Sequence, residues 1–560
     1  MRFILSILVI VLTNVNLLFA QQQNQSDSIY TIQDSVLIPT KSGVPIVAIV
    51  VRKKTNVSPL PVILFYTTYY QGPGDAVLGK RSADRDYVGV VAYARGIRSD
   101  LKAYMPYEHE ATDIYDIIDW ISKQSWCDGK VGMYGGSYTG YAQWAAIKKL
   151  HPALKTIVPQ VAVMPGFDVP MENNVPTSNV LSWPHDNIYK YPPLRRSLPF
   201  EWFEKGTSFR SMDSLAGQPD PIFQTWLKHP AYDAYWKSMA PSPTDFASLT
   251  IPVLSTTGYY DGAQISASLY YILHKRYNSK ANHYFVIGPY DHWGGQRRAS
   301  ENLMGYKIDS VANISMGELA FQWLDYILKG KAKPSILADK VNYQVMGTNT
   351  WKHVASLDKM FNGTMRFYLD NHLLNDIKPT NQSSLSQKVD FRDRENQNNY
   401  YTPEIIFDTL DISNGLVFTS KTFDKEFELN GSFSGNLALE INKKDIDISM
   451  ALYELRADGK YFFLTRYIGR ASYAKDHSKR QLLVPGQKEN IPFFNTRIVC
   501  KKIDKGSRLV ILLNINKHPF EIINYGSGKE VSDETISDAG EPLQIKWYND
   551  SYITIPVWKN

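Results

Sequence analysis

The sequence of 560 residues predicts an α/β domain that carries a helical cap insertion and is followed by an all-β domain. Three observations support this prediction. Short β-branched runs alternate with amphipathic segments from about residue 30 to residue 335, this alternation is interrupted between about residues 164 and 248, and short alternating segments fill residues 336–560. A chain of this length also exceeds what one hydrophobic core ordinarily supports, so more than one domain is expected.

In the first region, apolar runs of strand length alternate with segments whose apolar residues recur at helical spacing. Strands that alternate with helices are typical of a mostly parallel sheet with helices on its faces. The strand candidates are residues 44–51, 61–66, 88–94, 130–134, 156–163, 251–257 and 283–287, and the helix candidates are residues 108–124, 138–150, 264–274 and 316–328.

The interruption at about residues 164–248 lacks a strand pattern and is rich in Pro, Trp and Tyr, as in Trp183-Pro184-His185 and Trp226-Leu227-Lys228-His229-Pro230. Because it follows a central strand and helix, we expect it to form a helical cap over one end of the sheet, where such caps bound substrate pockets. The segments after residue 335 are separated by Gly, Asn, Asp and Pro, and they predict a β-sandwich or jelly roll. Examples are residues 365–369, 437–441, 448–455, 461–465, 509–514 and 552–557.

Residues 1–20 have the pattern of a secretory signal peptide. Arg2 precedes an apolar run, and Ala20 ends a second apolar patch before a Gln-rich polar stretch. We therefore expect cleavage after Ala20 and export to the periplasm or the extracellular space, with an uncleaved membrane anchor as the alternative. No later apolar stretch reaches the roughly 20 residues that span a bilayer, so we expect no stable membrane insertion after cleavage.

Charge and cysteine content exclude several other classes of protein. The formal net charge of +6 is mild for this length and no Lys/Arg block is present, so we expect no nucleic-acid partner. Cys127 and Cys500 are too few for a disulfide framework, and whether they pair is left open. The oligomeric state is not encoded in any recognisable pattern.

Ser137 is the candidate nucleophile. It follows the strand candidate at residues 130–134 and precedes the helix candidate at residues 138–150, with Gly135, Gly136 and Gly140 around it. A serine hydroxyl becomes a useful nucleophile when a tight strand–turn–helix connection holds it out, and only small neighbours fit such a turn. The backbone N–H of Tyr138 would then lie at a helix start, where it can meet the negative oxygen of a tetrahedral intermediate.

Two later strand candidates end in residues that complete a catalytic triad. One runs into Gly258 and stops at Asp261, and the other runs into Gly288 and stops at His292. The order Ser, Asp, His is the one that α/β-hydrolases use, so we predict an α/β-hydrolase domain in which His292 is the base and Asp261 orients it. Asp291 is the rival for the third role, although adjacent side chains usually diverge.

These segments resemble the family that groups cocaine esterase, glutaryl acylases, α-amino-acid ester hydrolases and Xaa-Pro dipeptidyl-peptidases. The resemblance runs from about residue 30 to the C-terminus. Thr139 breaks the common G-x-S-x-G spacing by one residue, but Gly-x-Ser-Tyr-x-Gly is normal in this family. The carriers are Arg95-Gly96, Trp126-Cys127-Asp128-Gly129, Gly136-Ser137-Tyr138-Thr139-Gly140, Tyr260-Asp261-Gly262 and Gly288-Pro289-Tyr290-Asp291-His292.

The resemblance implies a C-terminal jelly roll and a Tyr hydroxyl as the second oxyanion donor. The matching position is Tyr69, where the family's usual Arg-x-Pro-Tyr is replaced by Tyr66-Thr67-Thr68-Tyr69, and Tyr70 is the alternative. Relatives that bind an α-amino group place extra carboxylates just after the triad Asp. Gly262-Ala263-Gln264 stand there instead, which leaves Asp168 and Glu172 in the cap as the acidic residues that could contribute.

We therefore predict an exported serine hydrolase that cleaves carboxylic ester or acyl-amide bonds of a small-molecule or short-peptide substrate through an acyl-enzyme intermediate. This chemistry requires no cofactor and no metal. The alternative is a peptidase of the Xaa-Pro dipeptidyl-peptidase type. A catalytically dead binding module is the non-enzyme alternative, and the intact Ser137, Asp261 and His292 argue against it.

Overall fold

The structure is a computed structural model that describes residues 28–189, 192–395, 397, 404–494 and 496–559. The predicted signal peptide at residues 1–20 lies outside the described residues. Within them the chain forms a ten-stranded mixed sheet flanked by helices, a helical insertion above that sheet, and a second region rich in antiparallel strands. The predicted α/β-hydrolase fold with a C-terminal β-sandwich is confirmed.

The first sheet has the strand order β1-β2-β4-β3-β5-β6-β9-β10-β13-β14. The seven strands from β4 to β13 in this order run parallel, whereas β1, β2 and β14 join as antiparallel edge pairs. The strands are β1 (Tyr30–Ile38), β2 (Ile46–Lys53), β3 (Leu60–Thr67), β4 (Val88–Tyr93), β5 (Cys127–Gly136), β6 (Leu154–Gln160), β7 (Met171–Glu172), β8 (Val175–Pro176), β9 (Val253–Gly258), β10 (His283–Gly288), β11 (Asn302–Leu303), β12 (Tyr306–Lys307), β13 (Val341–Val345) and β14 (Thr350–Val354). The short pairs β7–β8 and β11–β12 lie outside the sheet.

Helices cover both the sheet and its carboxyl edge. Strands β4 and β9 are fully buried, as expected of parallel strands covered on both faces. The helices are α1 (Ala76–Ala83), α2 (Glu110–Ser122), α3 (Tyr138–Ile147), α4 (Asn179–Pro184), α5 (Leu198–Lys205), α6 (Met212–Ala216), α7 (Pro221–Trp226), α8 (Ala234–Met239), α9 (Pro243–Ser248), α10 (Gln264–Tyr277) and α11 (Met316–Lys329). Helices α4 to α9 form the cap insertion.

The first sheet extends past residue 335, where the sequence predicted its end. Strand β13 pairs in parallel with β10, and β14 follows it as an antiparallel edge strand that ends at Val354. These two strands alternate polar and apolar residues like the strands of the second region, so the sequence pattern alone does not assign them to the first sheet. The edge strand β1 was also missed, since its sequence from Gln33 to Ser35 is polar and its middle is exposed.

The C-terminal β-sandwich follows. Its pairings are antiparallel except for the parallel contact of β16 with β19. Its strands are β15 (Gly363–Asp370), β16 (Leu373–Asn375), β17 (Ser384–Val389), β18 (Ile406–Phe407), β19 (Leu416–Ser420), β20 (Phe427–Gly431), β21 (Ser434–Ile441), β22 (Asp447–Leu455), β23 (Tyr461–Arg470), β24 (Lys488–Phe493), β25 (Val499–Ile503), β26 (Arg508–Ile515), β27 (Leu543–Tyr548) and β28 (Tyr552–Trp558). Six of them contain the strand candidates named from the sequence.

The β-sandwich packs against both the cap and the sheet edge. The backbone N–H of Tyr232 in the cap donates to the carbonyl of His477, 2.8 Å away, and the side-chain amide of Asn174 donates to the same carbonyl.

Cys127 is half-buried, Cys500 is buried, and both are free thiols. In the described part of the chain, no helix reaches the length and hydropathy that a membrane crossing requires.

Candidate active site

Ser137 lies on a strained turn between β5 and α3. Its backbone has φ 61° and ψ −124°, a region that a residue with a side chain rarely adopts and that commonly marks a functional turn. The turn is held because the Ser137 N–H donates to the carbonyl of Gln160 on the neighbouring strand. A Cβ atom at Gly140 would lie 2.7 Å from that same carbonyl oxygen, so strand and helix approach too closely for any other residue there.

His292 and Asp261 form a hydrogen-bonded pair at the ends of two adjacent parallel strands. Gly258 and Gly288 are register partners at the ends of β9 and β10, and the residues that follow bring His292 Nδ1 to 2.7 Å from Asp261 Oδ1. Asp291 does not take this role, because its carboxylate accepts the backbone N–H groups of Trp293 and Gly294.

The electrostatic environment favours an ionised Asp261. The carboxylate is fully buried and burial alone would raise its pKa, but His292, the Ala263 N–H and the Thr257 hydroxyl together hold the pKa below its usual value. Burial would lower the pKa of His292, whose side chain is 31% exposed, but the charge and hydrogen bond of Asp261 raise it above 6.5. Such a pair would stabilise an imidazolium at His292, as a general base requires.

The loop that carries His292 contacts the turn that carries Ser137. The Gln296 side-chain amide donates to the carbonyl of His292, 2.9 Å away. Its Oε1 occupies the space that a Cβ atom at Gly136 would take, so a side chain at position 136 would overlap it. Gln296 therefore links the loop that carries His292 to the residue that precedes Ser137, and no sequence motif marked Gln296.

Tyr69 faces Ser137, whereas Tyr70 does not. The Tyr69 hydroxyl lies within hydrogen-bonding reach of the Ser137 side chain and of the Tyr138 backbone N–H. Burial raises the pKa of Tyr69, so its hydroxyl keeps its proton at neutral pH and can donate it. The ring of Tyr70 instead packs edge-on against Tyr93, with the Arg98 guanidinium 4.9 Å above it.

The cap adds an aromatic wall beside these groups. The indole nitrogen of Trp183 in α4 donates to the Tyr69 hydroxyl oxygen, 3.2 Å away. Trp183 also stacks on Trp226 of α7, and Tyr107 stacks on both indoles with ring centroids 6.0 Å apart in each case. The sequence marked the cap as aromatic without assigning either Trp a position in the site.

A buried carboxylate lies next to Tyr138. Glu110 accepts the backbone N–H groups of Tyr107 and His109 and the hydroxyl of Tyr138. Burial raises the pKa of Glu110 to about 7. The hydrogen bond between the Tyr138 hydroxyl and Glu110 fixes the side chain of the first residue of α3. It therefore also steadies the backbone N–H of Tyr138, which points toward the site. A fully buried Tyr hydroxyl ordinarily needs a hydrogen-bonding partner, and this requirement is the signal that could have pointed to Glu110.

The two acidic cap residues have different environments. Glu172 forms a buried bidentate ion pair with Arg497 of the β-sandwich, at 2.9 and 2.6 Å, and its pKa is lowered because that pairing outweighs burial. Asp168 is also buried and accepts the N–H groups of Met164 and Ser266. Burial raises the pKa of Asp168 to about 7.

Over the described ranges, no group of three or more His, Cys, Asp or Glu side chains is placed to hold a metal ion.

Comparisons with known proteins bear on this arrangement. Residues 42–294 match the family model for X-Pro dipeptidyl-peptidase (S15 family), and residues 337–514 match the model for the X-Pro dipeptidyl-peptidase C-terminal non-catalytic domain. The chain is 21% identical over 590 residues to cocaine esterase from Rhodococcus sp. (strain MB1 Bresler), covering 95% of this chain and 100% of the esterase.

Two solved structures share the whole fold. An aminopeptidase from a marine sediment archaeon, Thaumarchaeota archaeon, superposes with a TM-score of 0.82 at 18% identity, covering 95% of this chain and 97% of that one. A selenomethionine-labelled α-amino acid ester hydrolase superposes with a TM-score of 0.76 at 20% identity, covering 94% and 97%. At these identities the likeness establishes the common fold.

Proposed function

The chain belongs to the serine-hydrolase family that contains the X-Pro dipeptidyl-peptidases (S15) and cocaine esterase, and from this premise we propose that it hydrolyses carboxylic ester or acyl-amide bonds through an acyl-enzyme on Ser137. The observation that carries the proposal is the 2.7 Å bond between His292 and Asp261 on a loop that contacts the strained turn of Ser137. These are the parts that acyl transfer needs, since a serine hydroxyl requires a base and the base requires an orienting acid.

Acylation begins with proton transfer from Ser137 Oγ to His292 Nε2 while Oγ attacks the carbonyl carbon. Asp261 bonds Nδ1, which selects the tautomer that leaves Nε2 free to accept the proton. The carbonyl π bond breaks and its electron pair moves to the oxygen, giving a tetrahedral intermediate with one negative charge.

The oxyanion is received by the Tyr69 hydroxyl and the Tyr138 backbone N–H. Trp183 donates to the oxygen of Tyr69, so the phenolic proton remains available to donate to the substrate. Donors that are already in place before the charge develops stabilise it without reorganisation, which is why such groups contribute strongly to rate.

Collapse of the intermediate breaks the bond to the leaving group, which takes the proton from His292 Nε2 and departs as alcohol or amine. Water then attacks the acyl-enzyme while His292 accepts one of its protons. A second tetrahedral intermediate collapses, Ser137 Oγ recovers its proton, and a carboxylic acid is released.

The acyl side of the substrate is proposed to be uncharged. Trp183, Trp226 and Tyr107 present aromatic faces next to the oxyanion residues, and such surfaces bind apolar groups. Arg497 neutralises Glu172, which removes one carboxylate that a substrate ammonium could have used. Together these features favour simple esters and acyl amides over substrates with a free N-terminus.

One observation favours the second candidate, an Xaa-Pro dipeptidyl-peptidase. Asp168 is buried near the triad, close enough to Asp261 and His292 to influence their ionisation, and its pKa of about 7 would fall if a substrate ammonium bound beside it. Under this alternative, Asp168→Asn raises KM for aminoacyl-prolyl substrates and leaves simple esters unaffected.

A substrate panel separates these functions. We expect the purified protein to hydrolyse p-nitrophenyl acetate, butyrate and benzoate faster than an aminoacyl-prolyl p-nitroanilide, and to be labelled by a fluorophosphonate probe in a Ser137-dependent manner. Preferential cleavage of the aminoacyl-prolyl substrate would favour the peptidase. No labelling and no turnover of any substrate would favour a dead binding module and refute the hydrolase proposal.

We also propose that the protein is exported, on the strength of the pattern at residues 1–20. N-terminal sequencing of protein recovered outside the cytoplasm should begin at Gln21. Recovery of Met1 on the exported protein would contradict cleavage after Ala20.

A further inference from the structure

The acid turn of the site is held by the β-sandwich. We define the acid turn as residues 261–264, which lead from β9 into α10. Arg497, which is 7% exposed, lies between β24 and β25 of the sandwich. Its Nε donates to the carbonyl of Asp261 at 3.3 Å and its Nη2 to the carbonyl of Gly262 at 3.4 Å.

A second contact joins the same two segments. The Gln264 side chain donates to the carbonyl of Ile498, 2.7 Å away, and accepts the Ile498 N–H at 2.6 Å. Gln264 is fully buried, so this reciprocal pair fixes the end of the acid turn to the sandwich backbone. The turn that carries Asp261 is therefore bonded to the second domain at three of its four residues.

The same guanidinium also reaches the cap through its two bonds to Glu172. A guanidinium presents its donors in a rigid planar fork, so one group can bond Glu172 and the carbonyls of the acid turn at the same time. Arg497 thus joins the catalytic domain, the cap and the sandwich at one point, where it bonds the backbone carbonyl of the residue whose carboxylate meets His292.

We propose that the β-sandwich is part of the catalytic apparatus, with Arg497 as a positioning residue that holds the acid turn so that Asp261 meets His292. This inference rests on the proposed function, because it assigns Asp261 the role of orienting acid. It differs from a purely structural role, in which Arg497 only compensates the buried charge of Glu172.

Three variants separate positioning from stability. Arg497→Met removes all the guanidinium bonds and leaves Glu172 buried without its counter-ion, so it lowers both Tm and kcat. Glu172→Gln keeps the bonds to the acid turn and retains near-wild-type kcat. The double variant that combines Arg497→Met with Glu172→Gln removes the uncompensated carboxylate. It should therefore recover much of the lost Tm but not the lost kcat.

The expected effect of Arg497→Met is a kcat lower by roughly tenfold or more with a smaller change in KM, since misplacing a catalytic group acts on the transition state. The apparent pKa of the base in kcat/KM should also move down, because a displaced Asp261 raises the pKa of His292 less. The other charged groups that face His292, Asp291 and Asp168, are unchanged in these variants.

Arg470→Met is the matched control. Arg470 is also buried within the sandwich and also forms a bidentate ion pair, but with Asp447 on β22. We expect it to lower Tm while leaving kcat per fluorophosphonate-titrated site and the pH profile unchanged. All assays are run below the Tm of the least stable variant.

The proposal is overturned if the double variant recovers kcat together with Tm, or if folded Arg497→Met keeps the wild-type kcat and pH profile. It is also overturned if Arg470→Met lowers kcat and the apparent pKa as Arg497→Met does. Each of these three results leaves Ser137 labelling intact, so each is distinguishable from failure of the proposed function, in which Ser137→Ala would retain turnover.

Discussion

Replacing Trp183 by Phe tests whether the cap takes part in stabilising the oxyanion. The substitution keeps an aromatic ring in the wall but removes the indole N–H that lies 3.2 Å from the Tyr69 hydroxyl oxygen. A neutral hydrogen bond contributes about 0.5–1.5 kcal/mol. If the bond contributes this energy to the stability of the transition state, kcat should fall by about 2- to 13-fold when it is removed.

The loss of kcat in Tyr69→Phe is the reference for the loss of kcat in Trp183→Phe. Loss of one oxyanion donor costs about 2.7–4 kcal/mol, or about 100- to 1000-fold in kcat. Because Trp183 acts through the Tyr69 hydroxyl, Trp183→Phe should have no further effect on kcat when Tyr69 is already Phe. The assay is steady-state hydrolysis of one p-nitrophenyl ester by the wild type, both single variants and the double variant.

Trp226→Phe is the control for this cycle, since Trp226 stacks on Trp183 in the same wall but does not donate to Tyr69. Its effect should appear in KM. Additive losses of kcat from Trp183→Phe and Tyr69→Phe would refute the coupling, as would equal losses of kcat from Trp183→Phe and Trp226→Phe.

Three further predictions concern the ionisable groups. Asp261→Asn should lower kcat by about 10⁴-fold, whereas Asp291→Asn should stay within a few-fold of wild type; similar losses from both would contradict the assignment of the orienting acid. The kcat/KM of the wild type should rise with pH through an apparent pKa above 6.5, because Asp261 favours the protonated His292; a midpoint below 6.5 would argue against that pairing in the free enzyme. Burial raises the pKa of Glu110 from 4.5 to about 7, so its contribution to stability is present below 4.5 and is lost as pH rises toward 7. Thermal unfolding should therefore show Glu110→Gln gaining Tm relative to wild type between pH 5 and pH 8, and a pH-independent difference would contradict a raised pKa.

The sequence pointed to Ser137, Asp261 and His292 because each follows an apolar strand, and parallel strands place their carboxyl ends at one edge of the sheet. Tyr69 came only from the family resemblance, since nothing in a run of Tyr and Thr distinguishes position 69 from position 70. The structure separates the two by placing one ring beside Ser137 and the other beside Tyr93.

The supporting residues were not predictable, for one shared reason. Glu110, Trp183 and Arg497 act through partners 28, 114 and 325 residues away in the chain, and no periodicity records such pairings. The extension of the first sheet past residue 335 was not predictable for a related reason. Strands β13 and β14 have the alternation of a sandwich strand, and only the pairing of β13 with β10 assigns them to the first sheet.

The most direct test of the central claim is intact-mass analysis of protein quenched in acid during turnover of a slowly deacylated p-nitrophenyl ester, followed by peptide mapping. We predict a mass increase equal to one acyl group, located on the peptide that contains Ser137 and missing in Ser137→Ala. An acyl adduct on another residue, or full turnover by Ser137→Ala, would contradict the account.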